Sequence, residues 1–228
     1  MTAGQSTSVV SYEEQLRKER EELADTLPES SANKIKTKGK LFTLPGGASS
    51  PGPLNCVVLD YIPYNEYYSG VYNPKQPQAP VCWALNKKIK ELVPSKHAPQ
   101  KQAASCDTCP KGQWGSAPSG SGKACKNQFR LVIVPADFDS NSDPLTIYVS
   151  PGAMKNWTKY VKTLSDQHQL LPVQVITSMS FDANQTYPSL LFEMVKPHGE
   201  LALAMALRNR AEELLYREPK SDETKVAA

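Results

Sequence analysis

A mainly β fold with accompanying helices, arranged as a small barrel, is the architecture this 228-residue sequence predicts. Three observations carry the prediction. About six short runs rich in Val, Ile, Leu and aromatic residues are bounded by Pro, Gly, Asn and Asp. A strong helical pattern precedes the last two of those runs. Between the second and third, four of the five cysteines gather in one stretch, Cys82 to Cys125, and the loop from Cys109 to Cys125 within it is too poor in aliphatic side chains to build a core of its own.

Residues 1–10 show no periodicity, and 11–26 predict a charged helix. Ser11 is its N-cap, Glu13 and Glu14 complement the helix dipole, and Leu16 and Leu23 form a thin apolar stripe. Residues 28–37 read as a linker, so 1–37 form an N-terminal appendage. The first strand covers 40–44 and stops at Pro45-Gly46-Gly47. The second, 54–61, contains Cys56 as a small buried hydrophobe. Strands follow at 128–135 and 145–149, separated by a turn from Asp137 to Asp143. Ser150 as N-cap and Pro151 at the first position start a helix. Its Met154, Trp157, Val161 and Leu164 share one face, which makes Trp157 a core residue. Runs 173–177 and 189–195 predict an antiparallel pair. A second helix spans about 200–217 with Leu201, Met205 and Leu214 or Leu215 on its apolar side. For this size and strand count an OB-like β-barrel over residues 38–198 fits, with a loop inserted at 82–125 and a C-terminal helix and tail over 199–228.

Composition narrows the function classes. The hydrophobic content of 39% suits a soluble globular protein, and no apolar run reaches the roughly 18 residues needed to span a bilayer. The first residues have neither the basic nor the apolar region of a secretory signal. An intracellular, reducing setting is therefore expected, with the Asn156 and Asn184 sequons fortuitous and the cysteines set up for metal ligation rather than disulfides. The net charge of +3 conceals an uneven distribution: residues 31–130 carry +10, and both flanks are negative. A basic field of that size suits a polyanionic partner.

The cysteine spacing predicts a structural zinc site. Cys106 and Cys109 form a CxxC pair that grips one metal from a tight turn, Cys125 is the third ligand, and Cys82 takes the fourth place, with His97 the other contender. Catalysis at such a metal is not expected, because only Asp107 and Glu91 are at hand as bases. The run Gly120-Ser121-Gly122-Lys123 is not a phosphate loop. Ala117 and Ala124 stand where that motif needs Gly and Ser or Thr, and the run lies between cysteines rather than between a strand and a helix. No catalytic constellation is present, and Asp137, Asp139 and Asp143 are loop residues.

Aromatic residues interleave with the basic segment. Tyr61, Tyr64, Tyr67, Tyr68 and Tyr72 fall within twelve residues, and Trp83, Trp114 and Phe129 follow. Rings beside lysines are what sequence-tolerant binding of single strands requires, with bases stacking while cations follow phosphates. Tyr64, Tyr67, Tyr68 and Trp114 are the stacking candidates. Lys87, Lys88, Lys90, Lys111, Lys123, Lys126 and Arg130 are the phosphate candidates.

The motif Pro80-Val81-Cys82, followed by Cys106-x-x-Cys109-Pro110-x-x-x-Trp114-Gly115-Ser116 and Gly122-Lys123-Ala124-Cys125-Lys126, resembles a group of phage and prophage single-stranded DNA-binding proteins. The resemblance covers about residues 40–195, and the strand-then-helix segment from Leu145 to Tyr160 adds to it. It implies an OB-type barrel carrying a four-cysteine zinc loop, a role in phage DNA replication or recombination, and a place in the cytoplasm of an infected host cell. Single-stranded DNA would be the partner, with phage replication proteins or further copies of the chain beside it. One departure stands out. The C-terminal segment from Glu218 to Lys225 is mixed in charge, where many such proteins end in a strongly acidic tail. The competing reading is a viral protein-interaction or regulatory module, which would use the same loop and the terminal helices to bind a host or phage protein.

Overall fold

The computed structural model describes residues 33–70 and 78–219, together with residues 12, 15, 16, 18 and 19, which are helical. The remainder of the helix expected over 11–26, the linker up to residue 32, Tyr72 and the tail beyond 219 lie outside the described residues. The elements run in the order β1 (Phe42–Thr43), β2 (Ser49–Ser50), β3 (Leu54–Tyr67), β4 (Cys82–Leu85), β5 (Lys126–Pro135), β6 (Leu145–Val149), α1 (Met154–His168), β7 (Val175–Phe181), β8 (Leu190–Pro197) and α2 (Leu201–Tyr216). β1 and β2 make a small separate hairpin. The other six form one antiparallel sheet in the order β6-β5-β3-β7-β8, with β4 also paired to β3.

β3 is the spine. One of its sides is covered by β5 from Cys56↔Pro135 to Glu66↔Lys126. Its other side is shared: β7 pairs with Leu54–Val57, and β4 pairs with Tyr64–Tyr67. Pro63, which has no N–H to give to a ladder, falls in the interval between those two partners. A register shift between Val58 and Asp60 marks a bulge. Leu59 packs in the apolar cluster below α2, and the Asp60 carboxylate accepts from Arg208 of that helix (2.8 and 3.1 Å). The bulge thus turns two consecutive residues toward the same helix.

Among the described residues the sheet does not close, so the expected OB-like barrel is corrected to an open antiparallel sheet with a helix on each face. The cause can be read from the strands themselves. A barrel wall buries alternate residues, whereas Cys56-Val57-Val58-Leu59 and Leu131-Val132-Ile133-Val134 are buried throughout. On one face, Cys56, Val58, Leu131 and Ile133 pack with Trp157, Tyr160 and Leu164 of α1. On the other, Val57, Leu59, Val132 and Val134 pack with Ala204, Leu207, Ala211 and Leu215 of α2.

Trp157 lies in the core, with its ring 5.0 Å from those of both Tyr61 and Phe192. Cys56 is likewise buried. Two expectations change. Ser150 stands at the head of a 3-10 turn over Pro151–Ala153, but its hydroxyl donates to the Pro188 carbonyl (3.4 Å) rather than capping the helix. On α2 the buried stripe is Ala204, Leu207, Ala211, Leu214 and Leu215, while Leu201 and Met205 are each 41% exposed. Two alanines let the helix approach the sheet closely, and the larger Leu201 and Met205 are turned away from it.

Candidate nucleic-acid interface

Both ends of the cysteine excursion are rooted on β3. Cys82 opens β4 opposite Tyr67, and Cys125 immediately precedes Lys126, which pairs with Glu66. Cys82, Cys106, Cys109 and Cys125 border one cavity of about 20 Å³ together with Asn65 and Tyr67. Burial pushes up the thiols of Cys82 and Cys106, the latter against a side-chain hydrogen bond with Asn65. Cys125 is pushed up to about 12, by burial first and then by the neighbouring Cys106, Cys109 and Cys82.

The spacing therefore brings the four cysteines together, yet the zinc expectation is overturned. Among the described residues no group of three or more His, Cys, Asp or Glu side chains is placed to hold a metal ion. The four cysteines line a small cavity, which by itself is not the tetrahedral donor set that zinc requires. His97, the other contender, is engaged elsewhere, with its Nδ1 2.8 Å from Glu218 Oε2.

Backbone hydrogen bonds shape the loop. Cys106 N–H donates to Leu92 O (3.0 Å), Gly112 N–H to Cys109 O (2.9 Å) and Cys125 N–H to Lys111 O (2.8 Å). At the tip, Gly115 N–H donates to Gly122 O (2.7 Å) and Gly120 N–H to Ala117 O (2.8 Å), with all three glycines at positive φ. The Ser116 hydroxyl lies 2.9 Å from Lys111 O and 2.6 Å from Gln113 O, and it accepts from Ala124 N–H at 3.0 Å. This braced tip carries Trp114 at 80% exposure, whereas Trp83 and Trp157 are buried.

The candidate contact residues divide by position. Lys111 Nζ stands 5.4 Å over the half-buried Tyr67 ring beside the cysteine cavity. Lys126 Nζ stands 4.8 Å over Tyr68 and 3.7 Å from Glu66, whose carboxylate also accepts from Tyr68 Oη (3.1 Å). Lys123 is exposed near the tip. Lys87 pairs with Asp60 (3.5 Å) and Lys88 with Glu91 (2.7 Å), and Lys90 is exposed on the same 3-10 turn as Glu91.

Tyr64 and Arg130 are corrected from contact residues to internal ones, at 2% and 4% exposure. The Arg130 guanidinium lies 4.3 Å over the Tyr64 ring and donates to the carbonyls of Leu215 (2.9 Å) and Arg217 (2.6 Å), with Leu214 at 3.5 Å. It caps the carbonyl end of α2, where a cation satisfies the unpaired acceptors and the helix dipole together. Its Nε donates to Tyr148 Oη (3.1 Å).

Tyr148 and Lys34 escaped the sequence reading. Lys34 Nζ stands 4.3 Å over the Tyr148 ring, and its pKa is lowered, chiefly by burial against the opposing pull of Glu66, with Arg130 and nearby lysines adding to the lowering. The strand alternation of Ile147, Tyr148 and Val149 was a usable signal for the tyrosine. Lys34, in a segment read as linker, had none. It is held in place because Ile35 N–H donates to Thr146 O of β6 (2.8 Å).

No helix among the described residues is long and apolar enough to cross a membrane. Compared with family models, with curated proteins and with solved structures, the chain matches none.

Proposed function

We propose that the protein binds single-stranded DNA, as a binding protein rather than an enzyme, in the replication or recombination of a phage genome. The observation that carries this reading is Trp114, a large apolar ring 80% exposed on a tip fixed by hydrogen bonds, with Lys111 and Lys123 in the same loop. An indole presented to water on a braced loop is a stacking platform, and each base stacked on such a ring is worth about 1–3 kcal/mol. Lys111 and Lys126, standing over Tyr67 and Tyr68, would turn to phosphates as bases take their places on those rings. The phage setting rests on the resemblance of the cysteine loop alone.

Fluorescence anisotropy with labelled oligo-dT and a matched duplex, at two salt concentrations, tests the proposal. Salt-sensitive binding that prefers the single strand is the expected result. Absence of binding at low salt would overturn it and transfer the loop to recognition of a protein.

A further inference from the structure

The outward face of α1 carries a line of cations that the charge distribution along the chain conceals, because residues 131–228 are net negative. Lys155, Lys159 and Lys162 stand at i, i+4 and i+7 and are all exposed. At about 1.5 Å of rise per residue they are spread along roughly 10 Å of one helix face. Among the described residues none of the three forms an ion pair, although Lys87, Lys88, Lys126, Arg208, Arg210 and Arg217 all do. Lys155–Lys159 and Lys159–Lys162 are like-charge neighbours, which weakens a helix. Lys155 also falls in the first turn of α1, the end where the dipole disfavours cations. Solubility would be served as well by the same lysines scattered over the surface.

Thr158 and Thr163 accompany the lysines on this open helix surface, and Met154 stands at its N-terminal end. Hydroxyl and ammonium donors without a large apolar anchor match the demands of a phosphate backbone, which is contacted by Lys, Arg, Ser and Thr side chains. A protein partner would call instead for a buried aromatic or aliphatic centre, and the apolar residues of α1 (Trp157, Tyr160 and Leu164) are buried against the sheet. Asp166 closes the line at its far end and limits the cationic stretch to the three lysines.

We propose that the outward face of α1 is a second phosphate-binding surface, on which Lys155, Lys159 and Lys162 hold the backbone of single-stranded nucleic acid. The proposal rests on the single-strand reading of the Trp114 loop but concerns a different element. Two variants separate them: Lys155→Gln/Lys159→Gln/Lys162→Gln, and Trp114→Ala, each titrated with oligo-dT of about 30 nucleotides across a salt series. The lysine variant is expected to melt at or above the parent temperature, since like-charge repulsion is relieved. Its slope of log affinity against log salt should fall by about 2, three contacts at about 0.7 each. Replacement of the same lysines by Arg should restore the slope. An unchanged slope in the Gln variant would overturn the proposal and leave the face to an acidic protein. If the slope falls while Trp114→Ala binds like the parent, α1 stands and the loop reading fails. If the parent binds no strand at all, both fall.

Discussion

Trp114 is the residue on which the binding account turns, and its exposure makes the expected effects separable. Trp114→Ala should leave the melting temperature unchanged, because the ring buries little. It should weaken oligo-dT binding by about 5- to 150-fold through the loss of one stacked base, read by anisotropy. Arg130 is the opposite case. Arg130→Ala strips the carbonyls of Leu215 and Arg217 of their donor inside the protein and removes the hydrogen bond to Tyr148 Oη. A loss of about 3 kcal/mol or more in urea unfolding is expected, since hydrogen bonds to charged groups contribute about 1.5–3 kcal/mol each. A variant as stable as the parent would show that the guanidinium does not secure α2. The sequence placed Trp114 and Arg130 in one class because both lie in a basic, aromatic stretch. What separates them is the position of α2, 85 residues further on, which no local pattern discloses.

The loop from Cys109 to Cys125 behaves as an element although it contains only one short 3-10 turn. Ser116 ties both of its limbs, through Lys111 O and Gln113 O on one side and Ala124 N–H on the other. Ser116→Ala should therefore loosen the tip by about 0.5–1.5 kcal/mol. Oligo-dT binding should weaken severalfold with an unchanged salt slope, because preorganisation is lost and no charge is removed. A lower slope would place Ser116 in the phosphate path instead. That four cysteines would meet was legible from their spacing. That they would line a cavity without forming a group that holds a metal was not, because spacing specifies which residues meet and not how their side chains are oriented. On α2, counting large apolar residues selected Leu201 and Met205 and overlooked Ala204 and Ala211, the residues that permit close packing.

For the whole molecule, the buried acids and thiols set the pH limits of stability. Burial raises Cys125 from 9.0 to about 12 and Tyr160 from 10.0 to about 12, the latter against a hydrogen bond with Thr177. Both keep their protons in the folded state at pH values where the unfolded chain loses them. Their contribution is complete below about pH 9 and declines as pH rises toward 12. Glu218 shifts the other way. Burial alone would raise it, but hydrogen bonds from Ser95 and His97 outweigh burial and hold the carboxyl below its ordinary 4.5. Its contribution is present above that value and is lost as pH falls through the lowered one. Urea midpoints should be flat near neutrality and fall on both sides. Cys125→Ser should flatten the alkaline fall and Glu218→Gln the acid one; unaltered curves in both would contradict these assignments.

The barrel expectation failed at this same scale. Strand positions were legible from their β-branched runs, but whether a sheet closes depends on what covers its second face. The runs at 56–59 and 131–134, apolar at every position, already pointed to two covered faces.

The most direct measurement uses the protein's own fluorescence. Of its three tryptophans, Trp83 and Trp157 are buried and Trp114 is in water. Addition of oligo-dT should quench the emission of the parent, and Trp114→Phe should still bind but show no quenching. Tight binding with the parent's emission unchanged would mean that no base reaches Trp114, and the stacking account would be wrong.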